Sequence, residues 1–159
     1  MVQPGDRLPE VVVQQITDKG IEKSDTLALF GSGRSVIFAV PGAFTPTCSE
    51  RHLPGFVQHF DEFRRRGYDV ACMAVNDPFV MQAWMKSAGV PEGMVMVADG
   101  NAELARALGL ELDASAYGMG IRSKRFAMVI ADGTVEQVLV EAPGEFRVST
   151  AENLLEVTA

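Results

Sequence analysis

Residues 35–48 read Ser35-Val36-Ile37-Phe38-Ala39-Val40-Pro41-Gly42-Ala43-Phe44-Thr45-Pro46-Thr47-Cys48. The first six form a nearly continuous apolar run, which suits a central strand buried on both faces. The loop after it carries prolines at 41 and 46, which fix φ and withdraw N–H donors. Thr47 followed three residues later by Glu50 is a capping-box pattern. It predicts a helix with Thr47 at the N-cap and Cys48 as its first residue. A thiol there meets the positive end of the helix dipole and unpaired N–H groups. Both favour the thiolate, which is the nucleophilic form.

Working outward from this strand–loop–helix unit, Val11–Ile16 is β-rich and Asp18-Lys19-Gly20 closes it as a turn. Thr26–Phe30 reads as a short strand. Gly31-Ser32-Gly33 reads as a turn and not a phosphate cradle, because a strand follows and the Walker lysine is missing. On the other side a helix runs to about Arg66, with Phe56, Phe60 and Phe63 on its core face. Pro54-Gly55 predicts a kink within it. Arg64-Arg65-Arg66 before Gly67 fits a last turn and C-cap.

Asp69–Val75 is the next buried strand. Asn76-Asp77-Pro78 opens a helix that stops at Gly89, with Asp77 at the N-cap and Pro78 in the first helical position. Met94–Ala98 is a strand, Asn101–Leu108 a helix ended by Gly109, and Asp113–Arg125 a loop rich in small residues. Asp132-Gly133 joins Phe126–Ile130 to Thr134–Val140 as a hairpin. Ser149 with Glu152 is a second capping box and opens a terminal helix. This order predicts an α/β protein with a mixed central sheet flanked by helices. It is the layout of a thioredoxin-like fold with an N-terminal strand extension. Residues 1–159 read as a single domain.

The net charge of −7 over 159 residues argues against a nucleic-acid partner. No apolar run approaches the ~20 residues of a membrane span, and the N-terminus has no secretory signal pattern. A cytoplasmic location is expected. Two cysteines, Cys48 and Cys72, are too few to staple a secreted fold of this size. With His52 and His59 they lack the paired spacing of a zinc site, so no metal or other cofactor is expected.

Around Cys48, the Thr45 hydroxyl can donate and accept a hydrogen bond. Arg125, just before the strand at Phe126, supplies a permanent cation that would hold a thiolate and a substrate oxygen. The pattern Pro41-x-x-x-Thr45-x-x-Cys48 resembles the peroxiredoxin signature. The longer block through Ser49 and His52-Leu53-Pro54-Gly55-Phe56, with Val75-Asn76-Asp77-Pro78-Phe79 and Ser123-Lys124-Arg125-Phe126, resembles the type-five subgroup, also called type two or D. The resemblance covers essentially the whole chain.

It implies a thiol peroxidase that reduces hydrogen peroxide and organic hydroperoxides. Cys48 would be the peroxidatic nucleophile and would become a sulfenic acid. Thr45, Arg125 and the Cys48 N–H would orient the peroxide, Pro41 would shield the thiolate, and Phe44 would line the substrate site. It also implies a homodimer joined near Phe44 and Phe79. Some relatives of this type carry a resolving cysteine near the C-terminus, whereas none follows Cys72 here. Cys72 lies in an apolar strand and reads as a buried structural thiol. The expected cycle therefore uses one cysteine, with glutathione and glutaredoxin, or thioredoxin, as reductant. His52 reads as a polar residue packing near the site, the alternative being a Cys–His catalytic pair. Glu50 reads as a capping partner or a neighbour of Arg125. Two other classes are a thiol–disulfide oxidoreductase, disfavoured by the missing Cys-x-x-Cys, and a peroxide-sensing module without turnover.

Overall fold

The computed structural model describes residues 1–159. β1 (Val12–Thr17) and β2 (Gly20–Asp25) pair as an antiparallel hairpin at one edge of the sheet. The segment after them, expected as a strand, is helix α1 (Thr26–Phe30). The local reason is a cap: the Asp25 carboxylate accepts the Ala28 N–H at 2.8 Å, and such a bond outweighs weak β propensity over so short a stretch.

β3 (Arg34–Val40) is the central strand. It leads through the 41–45 loop and a helical stretch over 46–52 to α2 (Leu53–Gln58) and α3 (Phe60–Arg65), then β4 (Tyr68–Ala74). α4 (Pro78–Ser87) starts as expected, with Asp77 accepting the Val80 N–H at 2.9 Å. β5 (Val95–Ala98) and α5 (Glu103–Leu108) follow. β6 (Glu111–Asp113) ends where the expected loop 113–125 begins, and that loop contains a helical turn at 115–117 and β7 (Ile121–Ser123), which pairs with β6. These strands are only three residues long, too short for a periodic signal.

β8 (Phe126–Ala131) and β9 (Thr134–Val140) form the expected hairpin. Asp132 and Gly133 both have positive φ, 49° and 77°, as a type I′ turn requires. In α6 (Ala151–Val157) the cap shifts by one residue from expectation: Thr150, not Ser149, accepts the Asn153 N–H at 3.1 Å. Ser149 is engaged elsewhere, as described below.

The seven strands of the main sheet run in the order β2-β1-β5-β4-β3-β8-β9. β3, β4 and β5 are mutually parallel and the remaining pairs antiparallel, so the sheet is mixed. Strand alternation divides the core into two layers. Phe38, Cys72 and Met96 face the layer filled from α2, α3, α4 and α6 by Phe56, Phe63, Trp84 and Leu154. Ile37, Met73 and Val97 face the layer filled from α1 and α5 by Phe30, Leu104 and Leu108. Phe38 stacks on Phe56 with ring centroids 4.0 Å apart. Each such fully buried aromatic contributes about 2 kcal/mol of transfer free energy, which anchors the helix after the 41–45 loop to the sheet.

Candidate active site

The helix after β3 begins at Pro46, two residues before the expected start. Thr47 already has helical angles, φ −63° and ψ −39°, and makes no side-chain cap bond. The Ser49 N–H closes the first turn on the Thr45 carbonyl at 2.9 Å. Proline suits this first position because its φ is preset and the donor it lacks would be unpaired there anyway. The capping box is therefore not formed, and Cys48 sits within the first turn. The amide groups of that turn still lack intrahelical acceptors.

Cys48–His52 then forms a π turn, closed by the Leu53 N–H on the Cys48 carbonyl. Pro54 accounts for it. Its ring would collide with the carbonyl four residues back, and it has no N–H to offer that carbonyl. Widening the turn relieves both problems. The expected kink thus appears as a π turn ahead of Pro54, with a second break at His59, where φ is −99° and ψ 9°.

Cys48 and His52 are both fully buried, and both meet Arg125. One terminal nitrogen of the guanidinium, Nη2, donates to Cys48 Sγ at 3.2 Å. The other, Nη1, lies 2.8 Å from His52 Nδ1. A guanidinium can only donate, so Nδ1 is the acceptor and the ring proton is on Nε2. Nε2 in turn donates to the Ser149 carbonyl at 2.9 Å. Burial, and then the charge of Arg125, lower the His52 pKa to about 3, against weaker opposing pulls from the Ser149 carbonyl and Glu141. His52 is thus a neutral strut for Arg125, in keeping with a polar residue packed at the site and unlike a base paired with Cys48.

The chain of contacts continues to Glu141, which the sequence reading did not single out. Its Oε2 accepts the Ser149 N–H at 2.8 Å, the Ser149 hydroxyl at 2.7 Å and the Arg147 N–H at 2.8 Å. Burial pushes its carboxyl up, but the Ser149 and Arg147 bonds together outweigh that and hold it below the usual range. The Glu141 N–H also donates to the Arg125 carbonyl at 3.0 Å. A latch at Glu141 therefore shapes the 142–150 loop and, through Ser149 and His52, the arginine. The available signal was an acidic residue directly after the β9 apolar run.

The 41–45 loop is held from three sides. The Thr45 hydroxyl donates to the Gly42 carbonyl at 2.7 Å. Asn76 accepts the Ala43 N–H at 2.9 Å. Arg122 donates to Met119 and Val75 carbonyls at 2.9 and 3.3 Å. A Cβ on Gly42 would lie 3.2 Å from both Arg122 Nη1 and Thr45 Cγ2 and 3.3 Å from Met119 Cε, so these side chains pack tightly against the glycine. Phe44 has φ +64°, a strained state for an aromatic residue, and is half exposed, facing out from the fold. Glu50 is exposed and caps nothing, and the Arg125 nitrogens go to Cys48 and His52 instead. Behind the site the Trp84 Nε1–H donates to Ser49 Oγ at 3.0 Å.

A cavity of about 500 Å³ opens beside Arg125, lined among others by Pro41, Thr47, Arg51, Glu141 and Phe146. The Phe146 ring centroid is 5.0 Å from that of His52, with the Arg51 and Arg125 guanidinium carbons at 4.8 and 5.7 Å. Cys72 lies in β4 between Phe38 and Met96. Burial, and then nearby Cys48, push its thiol well above its ordinary pKa, with Arg125 opposing. Both cysteines are free. No group of three or more His, Cys, Asp or Glu is arranged to hold a metal ion, and no helix is long and apolar enough to cross a membrane.

A thioredoxin-like sheet with a buried cysteine held by arginine defines a class, and the family described as Redoxin matches residues 3–155. "Peroxiredoxin-2E-2, chloroplastic" of Oryza sativa subsp. japonica is 45% identical over 95% of this chain and 70% of its own length. "Peroxiredoxin-2B" of Arabidopsis thaliana is 42% identical over 95% of this chain and 94% of its own. The crystal structure of reduced Prx3 in complex with hydrogen peroxide from Vibrio vulnificus is 44% identical over the full length of both chains, with a TM-score of 0.94. The chain belongs to the peroxiredoxins. It is an oxidoreductase that reduces peroxides with electrons from thiols.

Proposed function

We propose that Cys48 is the peroxidatic nucleophile and that Arg125, Thr45 and Pro41 complete its site. The supporting observation is the Arg125 Nη2 donor 3.2 Å from Cys48 Sγ. A charge-assisted donor there stabilises the thiolate and can pass to the peroxide oxygen as charge moves along the O–O bond. The sulfur attacks one oxygen, the O–O bond breaks, and the other oxygen leaves as hydroxide or alkoxide and takes up a proton. Sulfur is thereby oxidised to the sulfenic acid. Thr45 and the Cys48 N–H orient the peroxide, Pro41 screens the thiolate from water, and Phe44 borders the entry.

The cycle uses one cysteine. An external thiol attacks Cys48-SOH, giving a mixed disulfide and water, and a second thiol releases Cys48 and a disulfide. Glutathione with glutaredoxin is the first reductant to test and thioredoxin the second. Cys72 is structural, consistent with its burial and raised pKa, which disfavour a nucleophilic thiolate. Free thiols at both positions suit a reducing compartment, and we place the reaction in the cytoplasm. The exposed Phe44 and Phe79, 53% and 74% accessible, are the surface through which we expect a homodimer. The whole chain acts as one domain.

Intact-mass analysis after one equivalent of hydrogen peroxide, with and without a sulfenic-acid trap, tests this reading. The expected product is a trapped adduct on Cys48 with Cys72 reduced. A Cys48–Cys72 disulfide would overturn the one-cysteine cycle, and an unmodified Cys48 would overturn the site.

A further inference from the structure

The cavity beside Arg125 is larger and more highly charged than hydrogen peroxide requires. It measures about 500 Å³, whereas a two-oxygen peroxide fills roughly the volume of two waters, about 60 Å³. Three cations line it: Arg51, Lys124 and Arg125. Arg125 is engaged by Cys48 and His52, while Arg51 and Lys124 form no ion pair. Glu141 lines the same cavity and is 8% exposed. Its Oε2 accepts three hydrogen bonds, but its Oε1 is buried without any partner.

A buried carboxylate oxygen left without a donor is costly, and buried polar atoms ordinarily have partners. Two unpaired cations and one unpartnered carboxylate oxygen around a single cavity are the complement of a ligand carrying carboxylates and an N–H donor. We propose that this cavity is the binding site of the resolving thiol, a small cysteinyl peptide bearing carboxylate and ammonium groups, as glutathione does. The proposal rests on the reading that an external thiol resolves Cys48. The carboxylates pair with Arg51 and Lys124, and the ammonium donates to Glu141 Oε1. The thiol then points past Pro41 and Thr47, which line the cavity next to Cys48. There its sulfur attacks the Cys48 sulfenic sulfur, the S–O bond breaks, and the oxygen leaves as water with the thiol proton. An acidic hydroperoxide would offer a carboxylate, but its one O–H donor must sit at Cys48 and leaves Glu141 unsatisfied, which favours the thiol.

The test is single-turnover reduction of preformed Cys48-SOH in the whole protein, at matched thiolate concentrations. The thiols are glutathione, its diethyl ester, its N-acetyl derivative and 2-mercaptoethanol. Glutathione is expected to react about tenfold faster than the diester and the N-acetyl form, the worth of one charge-assisted contact. Lys124→Ala and Arg51→Gln are each expected to lower the glutathione-to-mercaptoethanol rate ratio about tenfold. Equal rates for glutathione and its two derivatives, or unchanged ratios in both variants, would overturn the proposal and leave the one-cysteine cycle standing. So would charge dependence confined to oxidation, seen as a faster reaction with a fatty-acid hydroperoxide than with its methyl ester. A sulfenic acid that none of the four thiols reduces would bring down resolution by a small thiol, and the binding site with it, and leave thioredoxin as the external reductant to test.

Discussion

The guanidinium of Arg125 donates to Nδ1 of His52 at 2.8 Å, and that bond sets where its second terminal nitrogen points. The fork is planar and rigid, so fixing one arm on a buried ring aims the other at Cys48 Sγ, 3.2 Å away. The ring is fixed in turn by the Ser149 carbonyl, and Ser149 by Glu141. The reach of a long side chain is thereby reduced to one geometry before any peroxide arrives, which is the condition for electrostatic stabilisation without reorganisation.

Arg125→Gln is expected to slow oxidation of Cys48 by hydrogen peroxide by about 10²–10³-fold, the usual loss when one preorganised donor is removed. Stopped-flow oxidation under pseudo-first-order conditions measures it. A rate within a few-fold of the parent would remove Arg125 from the chemistry.

Cys48→Ser is expected to abolish peroxide consumption, because a hydroxyl supplies no thiolate. A peroxide-electrode assay with excess thiol decides it, and retained turnover would mean that another group is the nucleophile.

Cys72→Ser is expected to keep turnover with glutathione while lowering stability by about 1–3 kcal/mol, since a hydroxyl replaces a buried thiol in an apolar layer. Urea unfolding and the steady-state rate measure the two effects separately. Lost turnover in a folded variant would make Cys72 the resolving residue.

His52 ties stability to pH. Its pKa is about 3 in the folded protein against 6.5 for the free side chain, so between these values the unfolded chain binds the extra proton. Stability therefore falls as pH drops from about 6.5 toward 3, at roughly 1.4 kcal/mol per unit from this group alone. His52→Asn should flatten the dependence of unfolding free energy on pH between 6.5 and 5. An identical slope in the variant would contradict the neutral, buried ring.

Glu141→Ala would strand the amide groups of Arg147 and Ser149 and the Ser149 hydroxyl, all of which now bond to Oε2. A cost of about 2–4 kcal/mol is expected, given the usual penalty for each buried unpaired group. Oxidation by peroxide should also slow as the His52 strut loosens. Denaturant midpoints together with the oxidation rate check this, and a stable variant with unchanged chemistry would show that the latch plays no part in positioning Arg125.

The apolar run Ser35–Val40, the alternation of elements and the Asp132-Gly133 turn were legible in the sequence because each depends on neighbours a few residues apart. The same holds for Cys48 with Thr45 and Pro41, which lie on one short loop. Arg125 was marked by its place beside β8, though nothing local says that it reaches Cys48, 77 residues away in the chain. Two capping boxes were misplaced, each for its own reason. Pro46 starts the first helix earlier, and Glu141 takes the hydroxyl of Ser149.

By itself, then, the sequence determined the strand–loop–helix unit, the mixed sheet and the place of Cys48 at a helix start, since periodicity and proline restraint are properties of contiguous residues. Only the tertiary structure decided that His52 is a neutral strut and that Glu141 reaches the Arg125 guanidinium through Ser149 and His52. These depend on burial and on partners distant in the chain. A side chain's tautomer, charge and hydrogen-bond direction are set by what surrounds it in space, and residue identity alone does not specify that.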